Sequence, residues 1–208
     1  MGLTPSIGAR LARATFEKDL VLTDGVSSII SGNYPVGKGG PEPVIEGWMP
    51  YRTVFDTLWW GKRHVMMGAT QIDRYGNQNI AFIGDWQNPK AQLLGVRGAP
   101  GNTINHPTSY WVPGHSKRVF VENVDMVSGI GYDRAKELGA AAKHHEIRVV
   151  VSNLGVFDFA TDDNRMRIRS VHPGVTVEEI QESTGFELIT DGDVPESRLP
   201  TDEEIKLI

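Results

Sequence analysis

The 208-residue sequence contains no cysteine. That excludes disulfides, thiolate metal sites and a cysteine nucleophile, and it agrees with a reducing, cytoplasmic compartment. No apolar run approaches the roughly 20 residues that span a bilayer, so no membrane association is expected. The chain does not open on a charged leader followed by an apolar stretch, so no signal peptide is expected. Positive charge is also in short supply, with 21 Lys and Arg against 26 Asp and Glu, a net charge of −5. A nucleic-acid-binding surface needs dense Lys and Arg to neutralise phosphates, so nucleic acid is not expected as a main partner. A local basic patch for a single small anion is compatible with this balance.

What remains is ordinary globular composition, 39% hydrophobic and 23% charged, without internal repeats or low-complexity linkers. A chain of this length buries about 70% of its unfolded surface and can hold a core unaided. Residues 1–208 are therefore read as a single domain. Ile7, Leu11 and Ala14 predict a helix from Ser6 to Phe16, and Val54, Phe55, Leu58 and Trp59 predict a second over Tyr51–Trp60. Strands are expected at residues 19–23, 64–69, 79–84, 118–124 and 165–171, with a short last one at 186–189. Residues 147–152 and 156–160 should form a hairpin around Asn153-Leu-Gly155, and Asp73 to Asn77 a tight turn. Thr176 and Glu179 spell a capping box that starts a late helix. The acidic tail from Asp191 is expected on the surface. Apolar strands with few helices predict an α/β fold with a mixed sheet.

Several residues could carry chemistry. Arg97-Gly98-Ala99-Pro100-Gly101-Asn102 is the foremost segment, because Gly98 and Gly101 allow close backbone approach to a ligand; the alternative is a plain surface turn. Asp24 is either an acid–base group or a strand-end turn residue. Glu46 sits among apolar residues and is otherwise a solvated loop carboxylate. Gln71 could hydrogen-bond a ligand or be a satisfied strand-end amide. Gly32-Asn-Tyr-Pro-Val-Gly37-Lys38-Gly39 nearly spells a P-loop, but Gly39 stands where Ser or Thr should hold magnesium, so nucleoside triphosphate binding is not expected. The histidines lack metal-ligand spacing, and no metal site is expected; His144-His145 reads as a solvated pair. Ser109 lies near His106 and His115 without a Gly-x-Ser-x-Gly elbow, which argues against a serine triad. Trp48, Trp59, Trp60, Trp86 and Trp111 read as core or interface.

Three stretches, taken together and in order, resemble the β subunits of the class I CoA-transferase family. They are Gly68-Ala-Thr-Gln71-Ile-Asp73-Arg-Tyr-Gly76-Asn77-Gln-Asn79, Gly95-Val-Arg97-Gly98-Ala99-Pro100-Gly101-Asn102 and His172-Pro-Gly-Val-Thr-Val-Glu-Glu-Ile-Gln-Glu-Ser-Thr-Gly185-Phe. Between them, Ile104-Asn-His-Pro-Thr-Ser-Tyr-Trp-Val and Val127-Ser-Gly-Ile-Gly-Tyr look like the branch of hydrolases that open a steroid ring in bacterial cholesterol catabolism. The likeness runs from about Ile7 to the C-terminus. It implies a CoA-transferase-like α/β fold, an open mixed sheet flanked by helices. Such subunits usually begin with an additional strand and helix and extend further, which implies a trimmed or short form here.

The resemblance also implies roles. The loop from Arg97 to Asn102 would hold the acyl-CoA thioester, with backbone N–H groups of Gly98, Ala99 or Gly101 on its oxygen, and Arg97 would face an acidic group. CoA would be part of the substrate, with no separate cofactor. Transferase β subunits carry a catalytic glutamate in a Ser-Glu-Xaa-Gly-like segment, where this chain reads Thr23-Asp24-Gly25-Val26. An aspartate is one methylene shorter, and misplacement by about 1 Å can cost on the order of a hundredfold in rate. The departure points to the hydrolase branch, in which an α-type subunit supplies the glutamate within an α₂β₂ heterotetramer. The alternative is a transferase of the 3-oxoacid or glutaconate type, with Asp24 or Glu46 as nucleophile.

Overall fold

The computed structural model describes residues 3–23, 27–32, 34, 40–60 and 62–207. The chain divides into two compact units, Met1–Trp60 with Leu199–Ile208, and Gly61–Arg198. Among the described residues no helix is long and apolar enough to cross a membrane.

The first unit opens with α1, Leu3–Ala14, on the predicted periodicity. Residues 19–23, expected as a buried strand, are irregular. Leu20 closes a turn onto the Glu17 carbonyl, Val21 is 63% exposed, and no ladder partner is present among the described residues. β1 (Ser27–Ile30) pairs antiparallel with β2 (Ile45–Met49), and α2 follows over Tyr51–Trp60 as predicted. Only Leu58 of α2 is buried. Trp59 and Trp60 are 72% and 88% exposed, and Trp48 and Trp86 are exposed too, so these four side chains are not core in the single chain.

The second unit holds the main sheet. β3 (Val65–Gly68), β8 (Pro107–Val112) and β9 (Glu146–Ser152) run parallel, and β10 (Gly155–Asp158) and β11 (Arg167–Val171) continue from β9 antiparallel. The order β11-β10-β9-β8-β3 is the mixed sheet expected from the sequence. Between β3 and β8 lie β4 (Gln71–Ile72) paired with β5 (Gln78–Asn79), β6 (Phe82–Gly84) paired with β7 (Pro89–Gln92), and α3 (Ala99–Asn105). α4 (Tyr132–Leu138) precedes β9, and α5 (Val177–Glu182) follows β11. Thr176 caps α5 by accepting from the Glu179 N–H, as the sequence predicts. α6 (Asp202–Leu207) belongs to the first unit and packs on α1 there.

Two expected strands are interrupted for local reasons. The run 79–84 breaks because the Asn79 side chain accepts from the Ala81 N–H and donates to the Phe82 carbonyl, an Asx-type turn that competes with the ladder. The run 118–124 is a single bridge, Ile72 to Phe120, since the Val119 and Phe120 N–H groups both turn back to the Ser116 carbonyl. The stretch 186–189 likewise contributes only the bridge from Ile189 to Arg167.

The core gathers Ile72, Tyr110, Phe120, Val150, Phe157, Met166 and Ile180, each fully buried, around one face of the sheet. His115 stacks on Phe120 with centroids 3.7 Å apart. Its two ring nitrogens meet Ser152 Oγ at 3.0 Å and Thr184 Oγ1 at 2.9 Å.

Gly131 closes this unit. A Cβ there would sit 2.4 Å from the Tyr75 carbonyl oxygen and 2.6 Å from the Asn77 nitrogen, both backbone. Gly131→Ala should therefore cost roughly 3 kcal/mol and lower the unfolding temperature by roughly 6–12 °C. Gly114→Ala, with nothing within 4 Å, is the control and should shift stability by less than about 0.5 kcal/mol. Thermal unfolding followed by circular dichroism checks both.

Candidate active site

The foremost segment is the turn that starts α3. Gly95 and Arg97 take left-handed backbone, with φ of 77° and 48°, before Gly98 caps the helix. Such a conformation is routine for glycine and costs a non-glycine residue about 1 kcal/mol or more. Ala99 N–H is committed to the Val96 carbonyl at 3.0 Å, and Pro100 has no N–H. Among the described residues, neither the Gly98 nor the Gly101 N–H is engaged. Of the three backbone N–H groups named from the sequence, that of Ala99 is thus engaged within the turn, and those of Gly98 and Gly101 are open. Arg97 is exposed and makes no ion pair among the described residues. Asn102 is only 7% exposed; its amide nitrogen reaches Met67 Sδ at 3.7 Å, while its Oδ1 has no partner.

A buried polar scaffold holds this turn. Thr103, fully buried on α3, accepts from the Ile130 N–H at 3.0 Å. Gln78 pairs its backbone with Gly129 and donates its side-chain amide to the Gly68 carbonyl. Asn77 donates to Asp73 Oδ2 at 2.9 Å and to Asp133 Oδ1 at 2.8 Å, and accepts from the Gly131 N–H at 2.7 Å. The segments 68–79, 97–103 and 127–133 thus interlock through buried amides, where an unmade bond would cost about 1–3 kcal/mol. Gln71 belongs to this scaffold. Its Oε1 accepts from Asn79 at 2.7 Å and from the Asp125 N–H at 3.0 Å, and its amide donates to Asp125 Oδ2 at 3.1 Å. Its side chain is thus engaged within the scaffold, as the strand-end reading of Gln71 describes.

The other expected residues belong to the first unit. Glu46 lies exposed on β2 and lines a cavity beside α1; Asp24 falls outside the described residues, as do Gly37, Lys38 and Gly39 of the P-loop-like run. His144 is exposed, but His145 is not its solvated twin: its Nδ1–H donates to the Thr103 carbonyl at 2.7 Å. His64 Nε2 meets Ser109 Oγ at 2.8 Å, yet Ser109 is fully buried and unavailable as a nucleophile. Sequence reasoning missed the scaffold and the cations of the α1 cavity. The dense run of amides from Gln71 to Asn79 in an otherwise apolar stretch was the signal for the first, and the i, i+3 spacing of Arg10 and Arg13 for the second.

The family model for Coenzyme A transferase matches residues 55–183, which contain the turn and its scaffold. The chain belongs to the Coenzyme A transferase family. Within it, the chain is 55% identical over 203 residues to the cholesterol ring-cleaving hydrolase IpdB subunit of Mycobacterium tuberculosis, covering 98% of this chain and 81% of that one. The crystal structure of Rhodococcus jostii IpdAB superimposes with a TM-score of 0.91 at 52% identity, over 100% of this chain and 82% of that one. Glutaconate coenzyme A-transferase from Acidaminococcus fermentans follows with a TM-score of 0.79 at 26% identity, over 98% and 82%.

Two buried titratable groups give the second unit an internal check. Burial pushes the Asp73 carboxyl up to about 6, with Asp133 adding repulsion, against the hydrogen bonds from Asn77 and Tyr75 that pull it down. Burial lowers His115 to about 4. Between pH 4 and 6 the folded state holds the Asp73 proton more tightly than the unfolded state, so this group makes stability fall as pH rises. His115 does the reverse, losing stability as pH falls from about 6.5 towards 4. Urea midpoints across pH 4–7 should therefore rise with pH in Asp73→Asn, fall with pH in His115→Gln, and stay flatter than either in the unsubstituted protein.

Proposed function

We propose that this chain is the β-type subunit of a heteromeric acyl-CoA hydrolase that opens the ring of a cyclic keto acyl-CoA in steroid catabolism. An α-type subunit supplies the working carboxylate. The observation that carries this reading is the pairing of a preserved turn with an altered nucleophile segment. The Arg97–Asn102 turn stands on a buried, hydrogen-bonded scaffold, while Thr23-Asp24-Gly25 carries no glutamate. The relatives named cholesterol ring-cleaving hydrolase subunits support the same choice.

The chemistry follows from these parts. The partner's carboxylate takes a proton from water, and the hydroxide attacks a ring carbonyl. The carbon–carbon bond breaks, and its electron pair becomes the enolate of the thioester. The N–H groups of Gly98 and Gly101 are the donors on this chain available to that oxygen; one such donor is worth about 2.7–4 kcal/mol in comparable oxyanion holes. Protonation at carbon completes the step. Arg97, with its bidentate fork exposed, serves an acidic group of the substrate. CoA enters as part of the substrate, without a separate cofactor. The assembly is an α₂β₂ heterotetramer in the cytoplasm.

The purified chain alone should not turn over a cyclic keto acyl-CoA, and the complex with its α-type partner should. In that complex, Asp24→Asn should lower kcat less than about tenfold. Replacing the partner's carboxylate by an amide should lower it by about a thousandfold or more, on the scale of losing a general base. Borohydride added with acyl-CoA should leave Asp24 and Glu46 unmodified. A reduced adduct mapped to either residue marks a covalent intermediate and replaces the hydrolase reading by a CoA-transferase one.

A further inference from the structure

The first unit contains a cavity of about 450 Å³ bounded by α1, the segment Lys18–Thr23, β1 and Glu46 of β2. That volume lies within the range of small-molecule sites, about 300–1,000 Å³. Its lining combines cations with aliphatic side chains. Arg10 and Arg13 line one side from the same face of α1, three residues apart, with Lys18 beside them. Leu20, Leu22 and Ile29 are also in the lining. Arg10 donates from Nη1 to the Tyr34 carbonyl, which fixes its guanidinium at the wall. Among the described residues none of these three cations is in an ion pair.

We infer that this cavity binds an oxyanion carried on an apolar skeleton, with Arg13 and Arg10 as the anion-holding residues. Among the described residues, three cations against Asp19 and Glu46 leave the lining net positive. A guanidinium half out of water binds a carboxylate or phosphate with two parallel hydrogen bonds, the strongest geometry open to it. The apolar wall selects for a ligand whose charge sits on a hydrocarbon frame. Under the function proposed above, on which this inference rests, that ligand is the substrate, and the anion is either an acyl-chain carboxylate or a phosphate of its CoA. The Arg-and-aliphatic lining favours the carboxylate.

Arginine labelling of the assembled complex tests this. Phenylglyoxal modification of Arg13, read by mass spectrometry, should be suppressed by millimolar cyclohexanecarboxylate and much less by 3′,5′-ADP. Suppression by 3′,5′-ADP alone keeps the oxyanion pocket but assigns it to CoA. If neither probe protects Arg13, or if Arg13 resists labelling without ligand because the partner fills the cavity, the inference is overturned. Arg13→Gln should raise KM for the acyl-CoA about tenfold, the weight of one charge-assisted pair, and change kcat less than about threefold. An equal fall in kcat with KM unchanged would also overturn it. Protection needs no turnover, so protection without ring opening would remove the proposed reaction and leave the pocket standing.

Discussion

The second unit depends on one side chain, Asn77. Its amide nitrogen joins two carboxylates, Asp73 and Asp133, while its oxygen takes the Gly131 N–H. A neutral amide placed between two acids separates like charges and satisfies both from one centre, in a site where neither acid has a cation within ion-pair distance among the described residues. The contact requires Gly131, because any Cβ there would strike the Tyr75 carbonyl. Gly129 and Thr103 follow from the same approach, with Gln78 filling the remaining space. The α3 turn is therefore positioned from below by polar contacts of fixed direction rather than by apolar packing, which would tolerate sliding.

Much of this was legible in the sequence. Period-2 and period-3.6 patterns placed α1, α2, the β9–β10 hairpin and the capped α5 close to where they lie. The failures share a cause. At residues 79–84 and 118–124 the β-branched and aromatic content suggested strands, but side-chain and backbone turns at Asn79 and Ser116 took the hydrogen bonds that a ladder needs. Residue type reports the preference for a pleated surface; it does not report which local acceptor wins. The site was legible as a motif but not as a structure. The glycine pattern marked the Arg97–Asn102 turn. That Ala99 spends its N–H on Val96, and that Gln71 is already satisfied from three directions, depends on partners distant in sequence.

The first unit has a different character. Trp48, Tyr51, Trp59 and Trp60 are more than half exposed, and α2 buries only Leu58. Large aromatic side chains on the outside of a single chain suit a surface that another subunit covers. This agrees with relatives that are themselves subunits of two-component proteins. It also gives the five tryptophans a division of labour unseen in composition: four face outward, and only Trp111 is tucked into the sheet.

Arg97 occupies backbone that glycine would adopt without penalty, in a stretch already provided with Gly95 and Gly98. The turn's geometry alone would accept a residue without a side chain at that point. An arginine there carries a conformational cost that glycine would not, so the backbone gives no reason for its side chain. The left-handed peptide leaves the Arg97 guanidinium exposed and without an ion pair among the described residues, open to an acidic group from outside the chain.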